Sequence, residues 1–147
     1  MKRNLTIFLS LFVIAFVAGC GDPKVTGTVT FPDGTPLTKG MVMFQKEGFI
    51  GSGNVRSDGT YSAGKLRDGD GLPPGIYQVF LAETSVFDPA EIARIQEMQA
   101  AAGGAPVFAV AGSIDLVAHR YLSPGTSNLT VEVTGNTRFD ITVEAPN

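Results

Sequence analysis

One cysteine, one histidine and no tryptophan occur in 147 residues, and each shortage removes a class of function. A lone thiol forms no intrachain disulfide, even in the oxidising compartments where such bonds persist, so Cys20 needs another explanation. Catalytic zinc sites take most of their three protein ligands from histidine, and His119 has no second imidazole to join it. Acid–base or nucleophilic work needs a partnered group, and none accompanies His119, which reads as a surface or edge residue. Without tryptophan there is no indole platform for sugars or bases.

Long apolar runs and a basic surplus are missing as well. The longest apolar stretch, Leu5 to Ala18, has 14 residues with Thr6 and Ser10 inside it, whereas a bilayer span needs about 18 to 20. Lys2 and Arg3 precede that stretch, and beyond it 9 basic residues stand against 14 acidic ones, a net charge of -5. A dense cationic footprint, the requirement for nucleic acid, is therefore absent.

What is there begins with the leader. A basic start, the apolar stretch and the small-residue ending Val17-Ala18-Gly19-Cys20 have the three-part layout of a secretory signal. The ending resembles the lipobox of bacterial lipoproteins, and the resemblance implies cleavage before Cys20, with Val17, Ala18 and Gly19 read by the signal peptidase. Cys20 then carries diacylglycerol, and two or three acyl chains, each buried methylene contributing roughly 0.8 kcal/mol, hold a protein stably at a membrane. In resembling lipoproteins an aspartate directly after the cysteine favours the inner membrane. Here Gly21 holds that position and Asp22 the next, so the expectation is export to the outer membrane or its periplasmic face.

The expected organisation is a signal peptide over 1–19, a lipidated linker over 20–24 and one domain over 25–147. Glycine (18) and proline (9) are abundant and punctuate short alternating apolar runs, the pattern of an all-β chain. Val25, Val29 and Phe31 alternate with threonines. Met41 to Phe44, Ile50 to Val55 and Tyr61 to Leu66 read as the next strands, the last two joined by a Ser57-Asp58-Gly59-Thr60 turn. Tyr77, Val79 and Leu81 share one face of the best central-strand candidate. Leu129 to Val133 and Phe139 to Val143 read as a terminal hairpin across Gly135-Asn136. Seven strands predict an antiparallel two-sheet sandwich.

One segment departs from this pattern. Asp88-Pro89-Ala90-Glu91 supplies a capping aspartate, a first-turn proline and a glutamate three residues after the cap. Ile92, Ile95 and Met98 then recur at helical spacing until Gly103-Gly104, so an amphipathic helix over 88–102 is expected inside an insertion at about 86–112. A specialised surface, if the domain has one, is expected on that insertion.

The order Val25-x-Gly27-x-Val29, Gly34, Pro36-Leu37, Gly40, Asp58-Gly59-x-Tyr61, Pro73-Pro74-Gly75-x-Tyr77-x-Val79 resembles the carboxypeptidase regulatory-like domain, a transthyretin-like or prealbumin-like β-sandwich. The run Arg120-Tyr121-x-x-Pro124-x-Thr126-Ser127 resembles the C-terminal half of small bacterial lipoproteins built on it. The resemblance implies an exported, non-catalytic module, with Gly27, Gly34, Asp58, Gly59, Tyr61, Pro74, Gly75, Tyr77 and Tyr121 as structural motif residues. Tyr61 and Tyr77 are expected to bury their rings with the hydroxyls at the edge of the core. Transthyretin-like lactam hydrolases and iron dioxygenases on related sandwiches need histidines that this chain lacks.

Other chemistry is thin. Asp68 and Asp70 offer the oxygen ligands that calcium prefers, but the further glutamate of a helical calcium loop is missing, and a solvated turn is the better reading. An isopeptide bond from Lys24 or Lys46 near Glu83 has no spacing to single it out. No enzyme activity, cofactor or metal is expected. The leading reading is an anchored interaction or structural module that binds an envelope protein or surface polymer. The alternative is a small-ligand or carbohydrate-binding domain that uses Tyr121, Phe87 and Phe108 as stacking faces.

Overall fold

A computed structural model describes residues 21–147, and Cys20 with its preceding Val17, Ala18 and Gly19 lies outside the described residues. In chain order the strands are β1 (Val25–Thr30), β2 (Met41–Lys46), β3 (Phe49–Asn54), β4 (Thr60–Ala63), β5 (Gly75–Ala82) and β6 (Ser85–Phe87). The helix α1 (Pro89–Ala101) follows, then β7 (Ser113–Asp115), a single 3-10 turn at His119–Leu122, β8 (Leu129–Val133), β9 (Thr137–Arg138) and β10 (Ile141–Thr142). The described chain is thus mostly β, as its composition implies.

The strands form two sheets of four and one ribbon of two. β1 pairs with β4 on one side and with β9 and β10 on the other, while the second sheet has the order β3-β2-β5-β8. β5 is central, and its Tyr77, Val79 and Leu81 are all buried, as their alternation predicts. Val25, Val29, Tyr61 and Ile141 of one sheet meet Val42, Phe44, Val79 and Val133 of the other in one cluster, joined by Leu37, Leu72 and Val117 from the connections.

Three expectations about strands are corrected. The described residues contain ten strands rather than seven: the expected last strand forms only at β10, β9 precedes it, and β6 and β7 are additional. Leu66 is 90% exposed and outside β4, because the chain turns away at Gly64, whose Cβ position is occupied by the Arg67 carbonyl. The terminal hairpin does not form either. β8 runs antiparallel to β5 in one sheet, whereas β9 and β10 run parallel to β1 in the other, so the sheets are not antiparallel throughout. The Gly135-Asn136 turn carries the chain across the core instead, and the Asn136 side-chain carbonyl accepts the Lys24 amide at 2.9 Å, fixing the last strands beside the first.

The turn at Asp58-Gly59 is a related case. Arg56 N–H donates to the Thr60 carbonyl at 2.9 Å, and Gly59 takes φ of 81°, a left-handed conformation that glycine adopts without strain. The two arms of this turn belong to different sheets, touching again at the Ser52–Gly64 bridge, so it forms a corner.

Candidate interaction surface

The family-motif residues build the frame. Tyr61 and Tyr77 are 1% and 0% exposed, with hydroxyls donating at 2.5 Å to the carbonyls of Phe139 and Pro73. Burial, with the negative charge of Asp140 adding to it, raises the Tyr61 phenol above its ordinary range. Gly27 lies against the same Phe139 carbonyl, where an added Cβ would stand 1.9 Å from the oxygen. Asp140 then accepts from the Thr28 amide and hydroxyl, both at 2.9 Å. The Arg138 guanidinium at 2.8 Å, followed by the Thr28 donors, holds its carboxyl below the usual range.

Gly34 turns the chain after β1 by donating to Phe31 at 2.9 Å. Asp58 accepts from the Thr60 hydroxyl at 2.7 Å and amide at 3.0 Å. Pro74 and Gly75 launch β5, where Lys46 Nζ donates to the Pro74 carbonyl at 2.7 Å and lies 4.8 Å from the Tyr77 ring centre. Gly27 and Tyr61 thus meet at Phe139, and Pro74, Gly75 and Tyr77 gather around Lys46.

Tyr121 is 6% exposed and accepts from the Arg120 guanidinium at 2.9 Å, so it packs in the core and offers no stacking face. That corrects the expectation for carbohydrate contact at this position. His119 is exposed on the 3-10 turn. Asp68 accepts from Asn54 at 3.1 to 3.2 Å, and Asp70 from the Arg67 amide at 3.1 Å. Both carboxylates thereby tie down their own loop. Among the described residues no group of three acidic, histidine or cysteine side chains is placed to hold a metal ion. No described helix is long and apolar enough to cross a membrane.

The insertion is different in character. It starts and ends in the β6–β7 ribbon, so it spans 85–115 rather than 86–112. Asp88 caps α1 by accepting the Ala90 amide at 2.9 Å, as the sequence predicts. Glu91, placed for a capping box, instead accepts the Gly112 amide, while the Asp88 amide donates to the Gly112 carbonyl at 2.9 Å. The helix buries no residue. Of Ile92, Ile95 and Met98, which recur at helical spacing, Ile95 and Met98 line a shallow groove together with Glu91, Arg94, Ala109 and Val110.

Exposed apolar side chains collect in this segment. Of nine large hydrophobic residues exposed among those described, six belong to it: Phe87, Ile92, Met98, Phe108, Val110 and Ile114. Phe108 and Val110 are 95% and 92% exposed, and Met98 through Ile114 contains no charged residue. Concentrations of this kind mark interaction sites. The sequence singled out the segment by its helix, but β6 and β7 carried no signal, since three-residue strands show too little alternation to recognise.

No family model, curated protein or solved structure matches the chain.

Proposed function

We propose that the protein is a non-catalytic, exported lipoprotein, held through acylated Cys20 at the outer membrane or its periplasmic face. Its two-sheet body is a transthyretin-like sandwich akin to the carboxypeptidase regulatory-like domain. Seven strand positions, with β9 and β10 counted as one interrupted strand, support that reading. The insertion is the surface offered to an envelope partner.

The separation of two ends carries this proposal. Residues 22 and 23 lie against Gly71 and Leu72, with the Pro23 carbonyl accepting the Leu72 amide at 3.0 Å, next to the start of β5. The insertion leaves from the other end of β5, after Ala82. Eight residues at about 3.3 Å each set these ends about 25 Å apart. With a lipid attached just before Gly21, the membrane would lie beside the start of β5 and the insertion would leave from the far end, which favours a partner over the anchoring lipid for its apolar side chains.

The test is affinity capture of crosslinked, lipidated protein from intact cells, with Cys20→Ser as control. The expected result is membrane attachment lost in the control, together with a reproducible polypeptide partner crosslinked through 85–115. Membrane attachment that survives Cys20→Ser would sink the anchor, and crosslinks confined to glycans would move the assignment to carbohydrate binding.

A further inference from the structure

The β6–β7 ribbon has a fixed hydrogen-bond alternation. Leu116 N–H donates to the Thr84 carbonyl at 3.0 Å and Asp88 N–H to the Gly112 carbonyl at 2.9 Å, with Val86 opposite Ile114 between them. In an antiparallel ladder such pairs alternate with pairs whose amides and carbonyls face outward. The outward groups are therefore those of Ser85 and Phe87 on one edge and Ser113 and Asp115 on the other.

The two edges are not equivalent. Lys39 Nζ, from the connection between β1 and β2, donates to the Ser85 carbonyl at 2.8 Å, which occupies an outward acceptor and sets a charge against that edge, where charge discourages further pairing. On the β7 edge, Ser113 and Asp115 have no main-chain partner outside the ribbon among the described residues, and all three residues of β7 are exposed. A two-stranded ribbon is marginal in water and gains from an added strand.

The open edge is complementary to itself. About a two-fold axis at Ile114, Ser113 of one copy faces Asp115 of the other, and the reverse holds across the axis. That register pairs the outward amides and carbonyls and sets each carboxylate opposite a hydroxyl instead of another carboxylate. Ile114, 46% exposed, then meets its own counterpart in a non-hydrogen-bonded pair, where side chains approach most closely. The uncharged run from Met98 to Ile114 adds no further charge beside the seam, where the two Asp115 residues are diagonal neighbours about 7 to 8 Å apart.

We infer that the chain binds a second copy of itself through β7, joining two ribbons into a four-stranded antiparallel sheet. The inference rests on reading the insertion as the interaction surface, and is independent of lipidation at Cys20.

Full-length Ile114→Cys protein, oxidised in isolated cell membranes and run without reductant, tests the register. Non-hydrogen-bonded pairs hold Cα atoms about 4.5 Å apart, within disulfide reach, so a crosslinked dimer is expected. Glu132→Cys on β8 should stay monomeric. Ser113→Pro removes an outward amide without touching any amide bonded inside the ribbon. It should weaken dimerisation about thirtyfold in sedimentation of the purified protein, with the circular dichroism spectrum unchanged. Equal crosslinking of the two cysteine variants, undiminished dimerisation of Ser113→Pro, or disulfides from position 114 only to a different protein would each overturn the inference. If the protein fractionates as soluble and Ile114→Cys protein that also carries Cys20→Ser, oxidised in that fraction, still forms the dimer, the anchor is wrong and the pairing stands.

Discussion

At the scale of single residues, the Phe139 carbonyl ties β1 and β4 to the chain between β9 and β10. It receives the Tyr61 hydroxyl, and its oxygen occupies the space where Gly27 would carry a Cβ. Gly27→Ala therefore forces backbone apart at the centre of a sheet and should cost roughly 3 kcal/mol, read from urea unfolding. A loss below about 1 kcal/mol would mean that the approach relaxes cheaply. Tyr61→Phe leaves the carbonyl unpartnered and should cost about 1 to 3 kcal/mol. The phenol also makes a pH prediction. Its folded pKa is raised by burial, so its contribution is complete below the unfolded value near 10. It is lost as pH climbs toward the folded value, because the unfolded chain releases the proton first. Stability measured from pH 9 to 11 should fall, and fall less in Tyr61→Phe; identical slopes would remove Tyr61 as the cause. Gly27 and Tyr61 were both legible as motif residues. Their meeting point was not, because Phe139 lies 78 residues beyond Tyr61 and a main-chain acceptor leaves no mark in sequence.

Among elements, α1 shows which signals travel through sequence and which do not. Asp88 and Pro89 mark its start and Gly103 its end, since caps are local chemistry. What the Ile92, Ile95 and Met98 stripe faces is decided by distant chain, and the helix buries none of it. The last strands make the same point: alternation located Leu129 to Val133 and, within Phe139 to Val143, the two residues of β10, but a Gly-Asn turn reads alike whether it closes a hairpin or crosses between sheets. Lacking a buried face, α1 depends on Asp88 at its cap and on Glu91 and the Asp88 amide gripping Gly112. Asp88→Ala should lower local helix stability by about 1 kcal/mol. Hydrogen exchange should then quicken severalfold across α1 while β2 and β5 keep their protection. Equal loss of protection in the sheets would show that the helix is coupled to the core, contrary to its exposure.

For the whole molecule, the insertion and the two-sheet body meet at a narrow junction. Thr84 and Leu116 are hydrogen-bonded partners at 3.0 Å, so the ends left by removing 85–115 already have the spacing that a two-residue hairpin loop closes. No residue of the removed segment belongs to the buried cluster, whose nearest members in sequence are Leu81 and Val117. Glu83, at φ of 54°, is a strained non-glycine position at this junction, and releasing the ribbon would let it relax. Replacing 85–115 by Asn-Gly should therefore give a protein that unfolds cooperatively, with a melting temperature within about 4 °C of the parent, a shift of roughly 1 kcal/mol. The shortened chain should keep its membrane fractionation through Cys20 and lose self-association, because the first depends on the end beside Leu72 and the second on β7. A shortened protein that aggregates or melts without cooperativity would show that the insertion supports the body. One that folds but still dimerises would move the contact onto the sheets, where β8 supplies another edge.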